Sequence, residues 1–150
     1  MIFNTWDQRV DFLEHIKRAV VDKFPQTDTY NIFIFGSFLR TDYDPLRSDL
    51  DLAIYSRDTN LTFQICDFLD EYLNQCEVPH SLLEIFLDQL DAYVAVKPLS
   101  LNVSFTDYYP EELAIYRRTV QRRAIFYNAE AEHIEKDGIR VLEDYSWSVE

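Results

Sequence analysis

Residues 31–56 read NIFIFGSFLRTDYDPLRSDLDLAIYS, and this stretch decides the fold. Its first part, read with the preceding Tyr30 as YNIFIF, is short, aromatic and β-branched, the composition of a buried strand. The strand runs straight into Gly36 and Ser37, and Gly36 is one of only two glycines in 150 residues. A glycine there lets the backbone turn sharply and lets a ligand approach the main chain. Ser37 adds a hydroxyl and a backbone N–H, the elements of an anion nest. A turn-rich connection through Asp44 and Pro45 follows. SDLDLAIY then alternates as a second strand, in which Asp49 and Asp51 share one face, about 7 Å apart, and Leu50 and Leu52 point into the core.

Two like charges so close repel, and a cation between them relieves the repulsion. A hard divalent ion such as Mg²⁺ suits the pair, because it takes carboxylate oxygens and keeps water and phosphate ligands. Arg40 and Arg47 lie in the connecting loop, within reach of a departing pyrophosphate. Ser48, beside Asp49, is counted with Gly36, Ser37, Arg40 and Arg47 as a nucleotide-binding candidate. Phosphate-binding parts on a loop and metal-binding parts on the next strand are what phosphoryl or nucleotidyl transfer requires. The best third carboxylate is Glu84 in LLEIFLD, an acid in an apolar strand where burial without a partner is costly. Asp88 is the second choice. Taken alone, Asp-x-Asp is more often the wet face of a sheet, and Gly-Ser is more often an ordinary turn. Their combination across a short loop is far more specific.

Outward from this stretch, Val10, Leu13, Ile16, Val20 and Phe24 have helical spacing, with Asn4 or Thr5 as cap and Pro25 as stop. NLTFQICDFLDEYLNQC at 60–76 has a second helical stripe, and HSLLEIFLDQL has a strand at its centre. The segment 92–109 reads as an edge strand or ordered loop, because Pro98 interrupts it. YPEELAIYRRTVQRR is a helix with Pro110 at its first position and Arg117, Arg118, Arg122 and Arg123 toward its end. A short strand, AIFY, follows. The order predicts an α+β (mixed α/β) domain, a small mixed sheet with helices packed on it.

Bulk properties narrow the function. Hydrophobic residues make up 47% and aromatics 15% of the chain, which excludes a disordered composition. There is no apolar run of about 18 residues and no signal-peptide layout at the start, so no membrane association and a cytoplasmic location are expected. A net charge of −13, from 27 acidic and 14 basic residues, argues against a nucleic-acid backbone as partner. Cys66 and Cys76 fall in one helix, roughly 15 Å apart, too far for a disulfide. His15, His80 and His133 show no ligand spacing; of these, His80 is the one placed to approach the cleft. Tyr108 and Tyr109 are read as packing residues rather than a base platform.

FGSFLR followed by SDLDLAI resembles the signature of the DNA polymerase beta-type nucleotidyltransferase superfamily. Within it, the chain is similar to the minimal nucleotidyltransferases (MNT), small partners of HEPN toxins in toxin–antitoxin modules. The resemblance implies a polymerase beta-like fold over 1–128, with 129–150 as a C-terminal helical extension, part of the same domain or a docking arm. It makes Gly36 and Ser37 the phosphate loop and Asp49 and Asp51 the metal ligands, and puts the third carboxylate on Glu84. The loop is slightly longer than usual, Arg40-Thr41 stands where the family often has Arg-Gly, and Glu replaces the commoner third Asp.

The activity so implied is Mg²⁺-dependent (Mn²⁺ as an alternative) transfer of AMP from ATP to a hydroxyl, a protein adenylyltransferase acting on a tyrosine of a HEPN toxin partner and serving as antitoxin. Two rivals stand beside it: a non-catalytic antitoxin that neutralises its partner by binding alone, and a nucleotidyltransferase acting on a small molecule or tRNA.

Overall fold

The central strand of the sheet is buried along its whole length: residues 30 and 32–35 are aromatic or aliphatic, and the amide of Asn31 is hydrogen-bonded. The computed structural model describes residues 2–85, 103–116 and 118–119. In it β1 spans Tyr30–Phe35, with every residue buried. Only a strand flanked on both sides and covered on both faces can carry such a run. β2 (Leu50–Ser56) pairs with it antiparallel, β3 (His80–Glu84) pairs with β2 in parallel, and β4 (Val103–Ser104) pairs antiparallel with the other edge of β1. The order is β3-β2-β1-β4, a mixed four-stranded sheet. The expected α+β architecture is observed.

Helices α1 (Trp6–Lys23) and α2 (Thr59–Gln75) cover one face. Phe12, Leu13, Ile16 and Val20 of α1 and Ile65, Leu69 and Leu73 of α2 meet Ile32, Ile34, Leu50, Leu52 and Ile54 there. Thr5 caps α1 in a capping box with Gln8, satisfying two amides the first turn would otherwise leave unbonded. Asp58 caps α2. That helix ends in a Schellman motif: the Glu77 amide donates to Asn74 O and the Val78 amide to Leu73 O. Glu77 takes φ 60° to make the motif, a place usually given to glycine.

The opposite face carries a smaller cluster of Phe33, Phe35, Ala53, Tyr55 and Ile85, covered by Leu113 and Tyr116 of a helical stretch at 111–116. The Pro110 carbonyl accepts from the amides of Leu113 and Ala114, so Pro110 sits one position earlier in that helix than expected. Asn31, buried on β1, ties this side together. Its Nδ2 donates to Thr106 O at 3.2 Å and Tyr108 O at 2.7 Å, and its Oδ1 accepts from the Thr106 amide at 3.0 Å. The strand expected at 124–127, the extension at 129–150, Asp88, Pro98, Arg117, Arg122, Arg123 and His133 lie outside the described residues. No described helix is long and apolar enough to cross a membrane.

Candidate functional site

At the end of β1 the chain turns through Gly36 with φ +72°, a conformation that side-chain-bearing residues rarely adopt. The register places Phe35 opposite Asp51, so the turn passes directly over that carboxylate. A Cβ on Gly36 would fall 2.0 Å from Asp51 Oδ2 and 3.0 Å from its Cγ. The rare glycine is thus explained twice, by its backbone and by the carboxylate occupying the space a side chain would fill. Asp49 lies one residue before β2, exposed, and Asp51 is half-buried within it. Leu50, 1% exposed between them, anchors the pair by packing into the helix-covered core. Gly36, Ser37, Asp49 and Asp51 therefore converge at one corner of the sheet.

The loop that follows is folded on itself. The Arg40 amide donates to Ser37 O at 2.9 Å, while the Arg40 side chain pairs with Asp42 at 3.2 Å. Asp44 organises the second half: its carboxylate accepts from the Leu46 amide at 2.9 Å, and its own amide donates to Ser48 Oγ at 2.9 Å. The Ser48 hydroxyl thus closes a turn. Arg47 is 87% exposed and only loosely paired with Asp44 at 3.8 Å, so it projects into solvent. Tyr43 lies half-buried between these groups. Burial raises its hydroxyl pKa, the Arg9 charge opposes this, and the charges of Asp44 and Asp49 reinforce it.

Glu84 is elsewhere. Parallel pairing aligns Asp51 with Ser81, Ala53 with Leu83 and Ile54 with Glu84. Because alternate residues face opposite ways, Glu84 shares the helix-covered face with Leu52 and Ile54, while Asp51 faces the other side. The expectation that Glu84 joins the two aspartates is corrected by this register. Its partner is Cys66 on α2, whose buried thiol is pushed up to about 12 by burial first and then by the charge and hydrogen bond of Glu84. His80 departs from the cleft in the same way, bonding Asp70 of α2 at 2.8 Å through Nε2. The Asp51 side carries Ser81 and Leu83 of β3 and Ile85 just beyond it.

A family model described as a nucleotidyltransferase domain matches residues 13–136. The chain belongs to this nucleotidyltransferase family. No curated protein and no solved structure matches it. The matched span contains the whole Gly36–Asp51 corner, where the nucleotidyltransferase sets its turn glycine against a strand carboxylate. Among the described residues no group of three or more His, Cys, Asp or Glu converges to hold a metal ion. The corner offers a carboxylate pair, and Mg²⁺ is commonly bound by one or two carboxylates together with waters and substrate phosphates. Asp49 and Asp51 match that donor set, and the Asp51 carboxylate fills the space beside the bare Gly36 backbone.

Two features of the nucleotidyltransferase were not visible in its sequence. One is Arg9 of α1, whose Nη1 donates to the Phe38 carbonyl at 2.6 Å. The other is a latch at the far end of the Asp51 face. There Arg57 makes a two-point ion pair with Glu112, and Tyr55 OH donates to the same carboxylate at 3.0 Å. The Arg57 hydrogen bonds, chiefly, hold the Glu112 carboxyl down at about 2. Tyr108 stacks on Tyr55 with centroids 6.2 Å apart, and Tyr109 meets Phe33 edge-on at 6.5 Å. Both rings pack against the sheet, as read from the sequence.

Proposed function

We propose that the protein transfers AMP from ATP to a hydroxyl group, with a tyrosine of a HEPN toxin partner as the acceptor, and thereby acts as an antitoxin. The observation that carries this reading is the contact between Gly36 and Asp51: a glycine turn with no room for a side chain, laid against a carboxylate in a chain of the nucleotidyltransferase family. Gly36 and Ser37 receive the triphosphate through main-chain N–H groups and the Ser37 hydroxyl. Asp49 and Asp51 would hold Mg²⁺, which when bound neutralises phosphate charge and stabilises the attacking and leaving oxygens. Arg40 lies close enough to the turn to meet the departing pyrophosphate; Arg47 and Ser48 contribute through the shape of the loop.

In the reaction the acceptor oxygen forms a bond to the α-phosphorus, the bond to the β-phosphate oxygen breaks, and pyrophosphate departs. The acceptor proton passes to solvent or to a base. Glu84 stands on the opposite face of the sheet from Asp51, and this reading does not use it as that base. AMP as the transferred group and the HEPN tyrosine as acceptor rest on the resemblance of FGSFLR…SDLDLAI to the minimal nucleotidyltransferases.

The test is calorimetric titration of the full chain with ATP in Mg²⁺ and then in EDTA, beside Asp51→Ala, followed by transfer of label from α-phosphate-labelled ATP to a HEPN partner. Metal-dependent binding lost in Asp51→Ala, with label on a partner tyrosine, supports the proposal. Wild-type protein that binds no ATP in Mg²⁺ overturns it.

A second reading, neutralisation by binding alone, is favoured by one observation: no third carboxylate joins Asp49 and Asp51 among the described residues. It predicts that Asp49→Ala with Asp51→Ala still protects cells from the partner.

A further inference from the structure

We propose that Arg9 is a positioning residue for the phosphate loop: from α1 it fixes the peptide planes that follow Gly36 and Ser37. The inference rests on the nucleotide-binding reading above. Arg9 Nη1 donates to Phe38 O at 2.6 Å and to Arg40 O at 3.3 Å, and its Nε donates to Thr5 O at 3.4 Å. The guanidinium carbon lies 4.5 Å from the Tyr43 ring centroid and 5.5 Å from that of Trp6. One planar group therefore grips two loop carbonyls and a loop aromatic ring at once, while anchored to a helix whose first turn is held by a capping box. The Tyr43 ring in turn packs edge-on against Phe38 at 5.4 Å, which closes the structure.

Peptide planes are rigid, with C=O and N–H pointing opposite ways. Holding the carbonyls of Phe38 and Arg40 toward α1 directs the amides of Leu39 and Thr41 away from it. The segment directly after Gly36 and Ser37 is thereby preset to meet an anion, which spares a triphosphate the ordering cost of shaping the loop itself. The grip is specific to arginine. A lysine keeps the charge but lacks the planar group that lets Nη1 hold the two loop carbonyls while Nε holds Thr5 O and the plane meets the Tyr43 ring.

The experiment titrates full-length wild type, Arg9→Lys, Arg9→Ala and Val20→Ala with ATP in Mg²⁺, and records the melting temperature of each. Val20 is a core residue of α1 far from the loop, so Val20→Ala reports what lost stability alone does. Arg9→Ala is also titrated with millimolar guanidinium added, far below denaturing levels. The expected result is about tenfold weaker ATP binding in both Arg9 variants, the scale of one lost hydrogen bond to a charged group. Guanidinium should recover at least a threefold part of that loss in Arg9→Ala, and Val20→Ala should bind ATP as wild type does. Arg9 variants that bind ATP like wild type, or a loss that tracks melting temperature without guanidinium rescue, overturn the inference and leave the functional reading standing. Wild type that binds no ATP overturns that reading, and this inference with it.

Discussion

Substituting Gly36 by alanine separates the two demands the turn makes. The first is conformational. A φ of +72° costs an L-residue about 1–2 kcal/mol, which lowers the melting temperature of a domain this size by roughly 2–8 °C. The second is steric. The new Cβ would meet Asp51 Oδ2 at 2.0 Å and Cγ at 3.0 Å, so the carboxylate must rotate away. Rotation of a side-chain end is cheap in stability, so the melting temperature should fall by little more than the backbone term. It is costly in function, because a displacement of about 1 Å at a reacting site is worth up to a hundredfold in rate.

Gly36→Ala should therefore remain folded while metal-dependent ATP binding drops more than tenfold. The decisive control is the Asp51→Ala background. With the carboxylate gone, the nearest remaining atom is Cβ at 3.3 Å, a contact that small shifts relieve. Because ATP binding is already lost in that background, the comparison there is read in melting temperature, where Gly36→Ala should cost the backbone term alone. Calorimetric titration and thermal melts of the four proteins read both quantities. Wild-type binding in Gly36→Ala would refute the view that the glycine exists to seat Asp51.

Three further outcomes follow from other contacts. Glu84→Gln should keep ATP–Mg²⁺ affinity within about threefold of wild type and shift stability by about 1 kcal/mol or less; a loss matching Asp51→Ala in the same titration would show that the β3 register is wrong. The Glu112 carboxyl is held at about 2 against an ordinary 4.5, so its pairing with Arg57 stabilises the fold above pH 4.5 and that contribution disappears as pH falls toward 2. The melting-temperature gap between wild type and Glu112→Gln should accordingly be constant above about pH 5 and close across that window, and a gap indifferent to pH contradicts the latch. Glu77→Gly, at φ 60°, should raise stability by up to about 1 kcal/mol in urea melts, and destabilisation would mean that the Glu77 side chain contributes more than its backbone costs.

Much of the fold was legible because single residues declared it. The aromatic and β-branched run from Tyr30 to Phe35, broken only by Asn31, reads as a buried strand, and Leu50 and Leu52 between Asp49, Asp51 and Ala53 fixed which side of the next strand faced the core. Asn4 or Thr5 was legible as the cap of α1, and the structure uses Thr5. Glu84 was misplaced for a definite reason. LLEIF shows that an acid interrupts an apolar strand, but not which residue of β2 stands beside it, and a slip of one position moves every side chain to the other face. Only the pairing of Asp51 with Ser81 supplies that fact. Arg9 was invisible for a different reason. On a helix it reads as an ordinary surface cation, and its partners, Phe38 O and Arg40 O, are backbone atoms 29 and 31 residues away.

The corrected position of Glu84 also changes how the chain's chemistry divides. Its carboxylate enters the helix-covered side beside the Cys66 thiol, so the acid that breaks the apolar pattern of β3 is accounted for by a local hydrogen-bonded partner. Among the described residues the Asp51 face is left with a pair rather than a triad, flanked by Ser81 on β3 and by the aromatic cluster of Phe33, Phe35 and Tyr55. A carboxylate pair can bind a metal–triphosphate unit, since the phosphates supply the remaining oxygens, but it leaves no spare carboxylate to take the acceptor's proton. Nucleotide binding and group transfer therefore make separate demands on this face, and the Asp51→Ala and Glu84→Gln variants test them separately. Asp51→Ala should abolish both. A Glu84→Gln protein that binds ATP and still labels its acceptor would place proton removal with a group outside the described residues or with the acceptor itself, whereas one that binds but does not transfer would return Glu84 to the reaction.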